Sequence, residues 1–205
     1  MLKRIQEALV RGQIPVLIAE VKSALGNGVA AREILENGLL EGMNRVGEGF
    51  ASGKLFIPEV MLAARAMQAG VDLIRDGLLS DGVERTAECI VLATVQGDQH
   101  DIGTNLVRIM LEGSGFDVID LGTNVPAQKI VSVAKEKGAR LIALSALLTT
   151  TMPQMETVTK LAHAEGISVM VGGAPVTQTF ADKIGADGYA KDAATAAALA
   201  AKLLG

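Results

Sequence analysis

The sequence predicts an α/β chain in two parts: a four-helix bundle over residues 1–80, then a five-stranded parallel sheet with helices on both faces over residues 88–205. Three observations predict it. Apolar residues recur at helical spacing through the first eighty positions. A polar stretch, "DGLLSDGVERTAE" (76–88), then holds a linker at 81–87. After it, short apolar runs alternate with helical segments to the end of the sequence.

In the first part, Leu2, Ile5 and Leu9 mark one helix, and Leu17, Ile18, Val21, Ala24 and Leu25 a second. Ile34, Leu35, Leu39, Met43 and Val46 mark a third; Val60, Ala64, Met67, Val71 and Ile74 mark a fourth. Breaks fall at "RGQIP", "GNGVA" and "FASGKLFIP", whose Pro58 suits a first helical turn. Connections this short bring four helices together as an antiparallel bundle.

In the second part, "CIVLATV" (89–95) is a continuous apolar run rich in β-branched residues, the pattern of a strand buried on both faces. "FDVIDLG", "ARLIALSAL", "ISVMVGG" and the short "GYA" follow. Helical patterns occupy 103–113, 127–138 and 153–166, and a last one runs from Asp192 to Leu204. Alternation of this kind gives a Rossmann-like, flavodoxin-like sheet with right-handed crossovers, and its ligands sit outside the carboxyl ends of the strands. The loops at that edge are 96–104, 145–151, 172–176 and 190–193.

Composition narrows the function. Hydrophobic residues make up 49% of the chain but aromatics only 2%, so Ala, Val, Leu, Ile and Met must build the core. A net charge of −4 with interspersed signs leaves no basic face for nucleic acid. No apolar run reaches the length of a membrane span, and "MLKRIQEALVRGQ" lacks the apolar stretch of a signal peptide. A single cysteine, Cys89, permits no intrachain disulfide and reads as a small buried hydrophobe. A cytoplasmic protein is expected.

Of two histidines, His163 falls on a helical stretch with Lys160 and Glu165 and reads as surface. The other, His100, sits in "GDQHDIG" (97–103), between Asp98 and Asp101 and just before a helix beginning near Gly103. The plainer reading is a surface histidine in a turn whose aspartates cap the helix. The chemical reading is a metal ligand: neutral imidazole suits a borderline transition metal, and Asp98 is placed to hold the other ring nitrogen. Zinc would want three or four protein ligands, and no further His or Cys is near. One axial imidazole suits a metal whose other ligands come from a macrocycle.

"GDQHDIGTNLV" resembles the Asp-x-His-x-x-Gly signature of cobalamin-binding proteins that hold the cofactor base-off and histidine-on. Two further parts of that signature follow in order, each after another strand: "SALLTT", with Ser145, Leu147 and Thr149, and "VGGAP", with Gly172 and Gly173. "DLGTNVPAQKIV" (120–131) matches family sequence without obvious chemistry. "LLEGMNRVGEGFASGKLFIPEVMLAARAM" resembles the helical cap beside cobalamin in methionine synthase and in the small corrinoid proteins of methyltransferase systems. The resemblance covers nearly the whole chain.

It implies that His100 is the lower axial ligand to the corrin cobalt, with Asp98 hydrogen-bonded behind it. Thr151 stands where methionine synthase has the serine that continues the relay. Gln99, Asp101, Ile102, Gly103 and Thr104 would line the cofactor, although Thr104 departs from the lysine that many relatives carry. Ser145 and Thr149 would offer hydroxyls to the nucleotide tail and Leu147 would pack on it, while Gly172 and Gly173 would let it pass close to backbone. Asp192 and Ala193 follow the last strand, where relatives touch the tail, and Asp192 reads equally well as a helix cap. Phe50 and Ile57 match the residues that cover the upper corrin face, and Glu36 one near its edge.

The function implied is a corrinoid methyl carrier, itself no enzyme, loaded as methylcobalamin. It would shuttle a methyl group between a substrate-specific methyltransferase and a methyl-acceptor methyltransferase, with a reductive activator as third partner. The alternatives are the cobalamin subunit of an adenosylcobalamin mutase, which usually lacks the cap; a cobalamin sensor, which normally adds a basic DNA-binding domain; and a cofactor-free flavodoxin-like signalling domain, which leaves Gly172 and Gly173 unexplained.

Overall fold

The computed structural model describes residues 1–80 and 88–205, so the linker expected at 81–87 lies outside the described residues. Among the described residues the chain divides into two compact units, one built on residues 1–80 and 113–115 and the other on 88–112 and 116–205. No helix among the described residues is long and apolar enough to cross a membrane.

The first unit contains α1 (Leu2–Val10), α2 (Ile14–Gly26), α3 (Ala31–Ile34), a π-helical segment (Leu35–Leu40), α4 (Glu41–Ala51) and α5 (Ile57–Ser80). The π-helical segment joins α3 and α4 without a break, so four helices form the bundle: α1 packs on α2, α4 and α5, and α5 on α2, α3 and α4. Ile5, Leu9, Leu17, Ile34, Leu39, Met43 and Ile74 are buried at its centre. The wide π turn is invisible to apolar spacing, which is satisfied on either side of it. Its sign is instead a side-chain bond: Gln6 Nε2 donates to the Asn37 carbonyl at 2.7 Å. α5 runs to Ser80, so residues 76–80, expected within the polar stretch, continue the helix.

The second unit is a five-stranded parallel sheet in the order β2-β1-β3-β4-β5. Its elements are β1 (Cys89–Thr94), α6 (Ile102–Gly113), β2 (Asp117–Asp120), α7 (Ala127–Glu136), β3 (Leu141–Ser145), α8 (Pro153–Ala164), β4 (Ser168–Gly172), α9 (Gln178–Ile184), β5 (Gly188–Ala190) and α10 (Ala193–Leu204). Val91, Ala93, Ile142, Leu144, Val169 and Val171 form one face of the sheet, packed with Ile130, Ala134, Met155, Val158 and Ala181 of α7, α8 and α9. Alternate residues face the other side. There Thr94 meets Thr104 of α6, and α10 packs on β3, β4 and β5. Helix α9 was not anticipated from the sequence. Seven residues give too little periodicity, although Thr177 caps its first turn through the Phe180 N–H and Gly185 ends it in the left-handed conformation.

Register brings the strand ends into line. Thr94 pairs with Ser145, Ser145 with Gly172, and Gly172 with Ala190, so four strands end in one row. The chain leaves β1 for β2 on one side and returns to β3 on the other, which opens a crevice beyond the carboxyl ends of β1 and β3. The loops after Thr94, Ser145, Gly172 and Ala190 all begin at that row.

Candidate functional site

Asp98 is the anchor of the first loop. Its side chain is fully buried, and among the described residues no Lys or Arg pairs with it. Five donors hold it instead. Oδ1 accepts from His100 Nδ1 at 2.6 Å and from the His100 backbone N–H at 3.2 Å. Oδ2 accepts from the Leu147 N–H at 2.7 Å, the Leu148 N–H at 3.1 Å and the Thr151 hydroxyl at 2.9 Å. Burial on its own would push this carboxyl up, but the bonds from His100, Leu147 and Thr151 outweigh it and hold the acid well below the usual carboxylate range.

This network determines the state of the imidazole. A carboxylate at 2.6 Å from Nδ1 places the ring proton there, which leaves the Nε2 lone pair free. Among the described residues nothing bonds Nε2, and the ring is 51% exposed. Asp98 therefore faces inward and is no helix cap. The plainer reading of the motif holds for the exposed ring but not for Asp98.

Three exposed apolar side chains come from the loops that hold Asp98 and His100. Ile102, opening α6, is 77% exposed, and Leu147 and Leu148 are exposed beside it in the loop after β3. At Gly103 a Cβ would meet no atom within 4 Å, and no unusual φ demands glycine. Glycine in a helix costs about 1 kcal/mol relative to alanine, so no packing within the chain accounts for it. Gln99 and Asp101 are exposed on the same loop. Among the described residues, no group of three or more His, Cys, Asp or Glu side chains gathers to hold a metal ion. The donor set is one imidazole nitrogen.

Not all the expected residues take the roles expected of them. Thr104 is buried, with its Oγ1 2.9 Å from Thr94 Oγ1, so its hydroxyl is spent inside the protein. Asp192 caps α10 by accepting from the Thr195 N–H at 2.7 Å and its hydroxyl at 2.6 Å, and Ala193 is buried behind it. The paired glycines answer to the sheet itself. A Cβ at Gly172 would come within 2.8 Å of the Ala190 carbonyl oxygen, and one at Gly173 would overlap that of Ala146. Gly173 also has φ +125°, which a side chain rarely tolerates. Ser145 is half-buried at its strand end and Thr149 exposed, and among the described residues neither hydroxyl has a protein partner. In the first unit Phe50 is half-buried, Ile57 is exposed, and Glu36 accepts from Arg32 Nε at 2.8 Å. His163 lies at the surface as expected, but its Nε2 is 2.8 Å from Asp187 Oδ2, which also accepts from the Val169 N–H. Cys89 is only half-buried, and burial pushes its thiol up.

Two positioning residues escaped the sequence. Thr94, the last residue of β1, is buried and donates to the His100 carbonyl at 3.1 Å from beneath the loop. Thr104 then donates to Thr94. Asn124, in the loop after β2, accepts from the Gly97 N–H at 2.8 Å and donates its own N–H to the Asp98 carbonyl at 2.8 Å. The available signal was the "DLGTNVP" stretch, a family match to which no chemistry could be attached from the sequence.

Known proteins share both units of this chain. A family profile described as B12 binding domain matches residues 88–198, and a second of the same description matches residues 1–75. The chain is 45% identical to dimethylamine corrinoid protein 1 of Methanosarcina acetivorans, over all of this chain and 97% of that protein. The chain belongs to the B12-binding corrinoid proteins. Trimethylamine corrinoid protein 1 of Methanosarcina mazei is 46% identical to this corrinoid protein, over 86% of this chain and 85% of that one. Among solved structures, a cobalamin-binding protein from Desulfitobacterium hafniense superposes with a TM-score of 0.85 at 32% identity, covering 100% of this chain and 99% of that one. The methanol:cobalamin methyltransferase complex MtaBC from Methanosarcina barkeri gives a TM-score of 0.80 at 28% identity, covering 98% and 79%. The cofactor of this corrinoid protein is thus a cobalamin. The residues present fit it: one free imidazole nitrogen for an axial position, an apolar rim for the macrocycle, and a clear helix start at Gly103.

Proposed function

We propose that this protein is a methyl carrier that holds cobalamin with the cofactor's own base displaced and His100 Nε2 in the lower axial position. It passes a methyl group from a substrate-specific methyltransferase to a methyl-acceptor methyltransferase, and a reductive activator restores it when the cobalt is oxidised. One observation carries the reading: Asp98 fixes Nδ1 and leaves Nε2 unbonded beside an apolar rim. Relatives named for dimethylamine and trimethylamine favour a methylated amine as methyl donor.

The corrinoid, when bound, supplies a cobalt that accepts and donates the methyl group. The protein's part is to set how strongly the imidazole binds and where a proton resides. Asp98 holds Nδ1–H and so increases the electron density at Nε2. Thr151 lies within reach of two acceptors, Asp98 Oδ2 at 2.9 Å and the Leu148 carbonyl at 2.8 Å, but it has one proton to give. With Asp98 ionised, that proton goes to the carboxylate. Once the Asp98–His100 pair takes up a proton, the hydroxyl can turn to Leu148, and the imidazole becomes a weaker ligand. Proton uptake by the pair would thereby weaken the hold of Nε2 on a bound metal.

Ser145 and Thr149, whose hydroxyls are unspent, are the polar contacts for the displaced nucleotide tail, with Leu147 as an apolar one. Carrier function is tested by loading the protein with cobalamin under reducing conditions and adding dimethylamine with a dimethylamine-specific methyltransferase. Wild type should take up one methyl group per cobalamin, and His100→Ala should absorb as base-off protein and load more slowly. Identical spectra for the two proteins would refute the axial role.

A further inference from the structure

Asn124 has φ 54°, the only positive value among the described non-glycine residues. Asparagine is among the few side chains that tolerate this left-handed conformation, which persists where the surroundings impose it. Here it brings both hydrogen-bonding ends of one residue against the two peptide groups that flank the Gly97–Asp98 peptide of the His100 loop. Oδ1 accepts the Gly97 N–H and the backbone N–H meets the Asp98 carbonyl, each at 2.8 Å. Gly97 is itself left-handed, at φ +87°, in a turn closed by the Asp98 N–H donating to the Val95 carbonyl at 3.1 Å. The loop is held at Thr94 from below and at Leu147, Leu148 and Thr151 from the β3 side. From the β2 side Val125 bridges Val95 at the start of the loop, and Asn124 bonds Gly97 and Asp98 further along it.

We propose that Asn124 is a positioning residue. It holds the backbone on either side of the Gly97–Asp98 peptide, so that the Asp98 carboxylate, and through it the imidazole of His100, keeps its orientation. This rests on the axial role proposed for His100. The Gly97 bond is exposed, so its N–H can turn to water when Asn124 loses its side chain, and little stability goes with it. What is lost is direction. Asp98 keeps its five donors, but the segment that carries it gains freedom at a glycine.

Three variants separate the possibilities. Asn124→Gly keeps the left-handed backbone and removes the acceptor; Asn124→Asp keeps both; His100→Ala is the control for the axial role. In the cofactor-free protein, exchange of the Gly97 amide should quicken by about fivefold in Asn124→Gly and stay near wild type in Asn124→Asp. Loaded with cobalamin at one fixed pH, Asn124→Gly should bind about tenfold more weakly and show a smaller histidine-bound fraction by absorption, with Asn124→Asp restoring both. If His100→Ala loses the histidine-bound signal while Asn124→Gly keeps it in full with unchanged Gly97 exchange, the positioning role is wrong and the axial role stands. If His100→Ala keeps the wild-type signal, the axial role has failed, and the positioning role falls with it.

Discussion

The Thr151 hydroxyl donates to Asp98 Oδ2 at 2.9 Å, a contact between residues 53 positions apart that ties the loop after β3 to the loop after β1. It completes the line from a buried threonine through a buried carboxylate to a half-exposed imidazole. Hydrogen bonds to charged groups contribute about 1.5–3 kcal/mol. Thr151→Val should therefore destabilise the cofactor-free protein by about 2 kcal/mol in urea titration, while Thr151→Ser, which keeps the hydroxyl, should lose well under half of that. Equal losses in the two variants would show that the methyl group, not the hydroxyl, matters at this position.

Asp98 gives the acid limb of stability a definite sign. Its folded value lies below the ordinary carboxylate range, so the ionised form is favoured by folding. That contribution is fully present above the unfolded value, near pH 4, and is lost as pH falls through the depressed folded value. Asp98→Asn should lower stability at neutral pH by about 2 kcal/mol and flatten the decline between about pH 5 and pH 2. Chemical denaturation at a series of pH values measures both. A variant whose acid limb is as steep as that of wild type would assign the decline to other carboxylates.

The glycines of the site should divide by physical cause. Gly173→Ala meets the Ala146 carbonyl at a left-handed backbone and should cost more than about 2 kcal/mol. Gly103→Ala meets nothing and should leave the cofactor-free protein unchanged or up to about 1 kcal/mol more stable, through helix propensity. Only for Gly103→Ala should cobalamin binding weaken more than folding does. Thermal melts of the free protein beside cobalamin titrations read the difference.

The second histidine supplies a control. Asp187→Ala removes the partner of His163 and the acceptor for the Val169 N–H, and should lower stability by about 1 kcal/mol. The absorption spectrum of the cobalamin-loaded protein should not change. A shifted spectrum would mean that the wrong end of the sheet had been assigned to the cofactor.

How much of the fold and site was legible in the sequence depends on how local each cause is. His100, Asp98 and Gly103 lie within six residues, and the chemistry of a carboxylate behind an imidazole can be read from that spacing alone. The strands were legible because burial on both faces writes continuous apolar runs such as "CIVLATV". Thr151 could be found only through resemblance, since its link to Asp98 depends on register between β1 and β3. Thr94 and Asn124 act on loop backbone, through one hydroxyl and one amide, and residue type does not reveal such a bond in advance. Gly172 and Gly173 were read as room for a ligand, whereas the strands' own close approach already requires them. The polar composition of residues 76–80 resembles the linker that follows, yet α5 continues through them to Ser80, the end expected for the bundle.

The central claim is that the nitrogen beneath cobalt belongs to His100. It is tested most directly by electron paramagnetic resonance of the protein loaded with cobalamin in its Co(II) state, with every histidine labelled with nitrogen-15. A nitrogen-15 ligand splits each high-field cobalt line into a doublet, and a nitrogen-14 ligand splits it into a triplet. The account predicts doublets in the labelled wild type, still present in a His163→Gln variant and absent in His100→Ala. Triplets in the labelled wild type would show that the cofactor keeps its own base, and would contradict it.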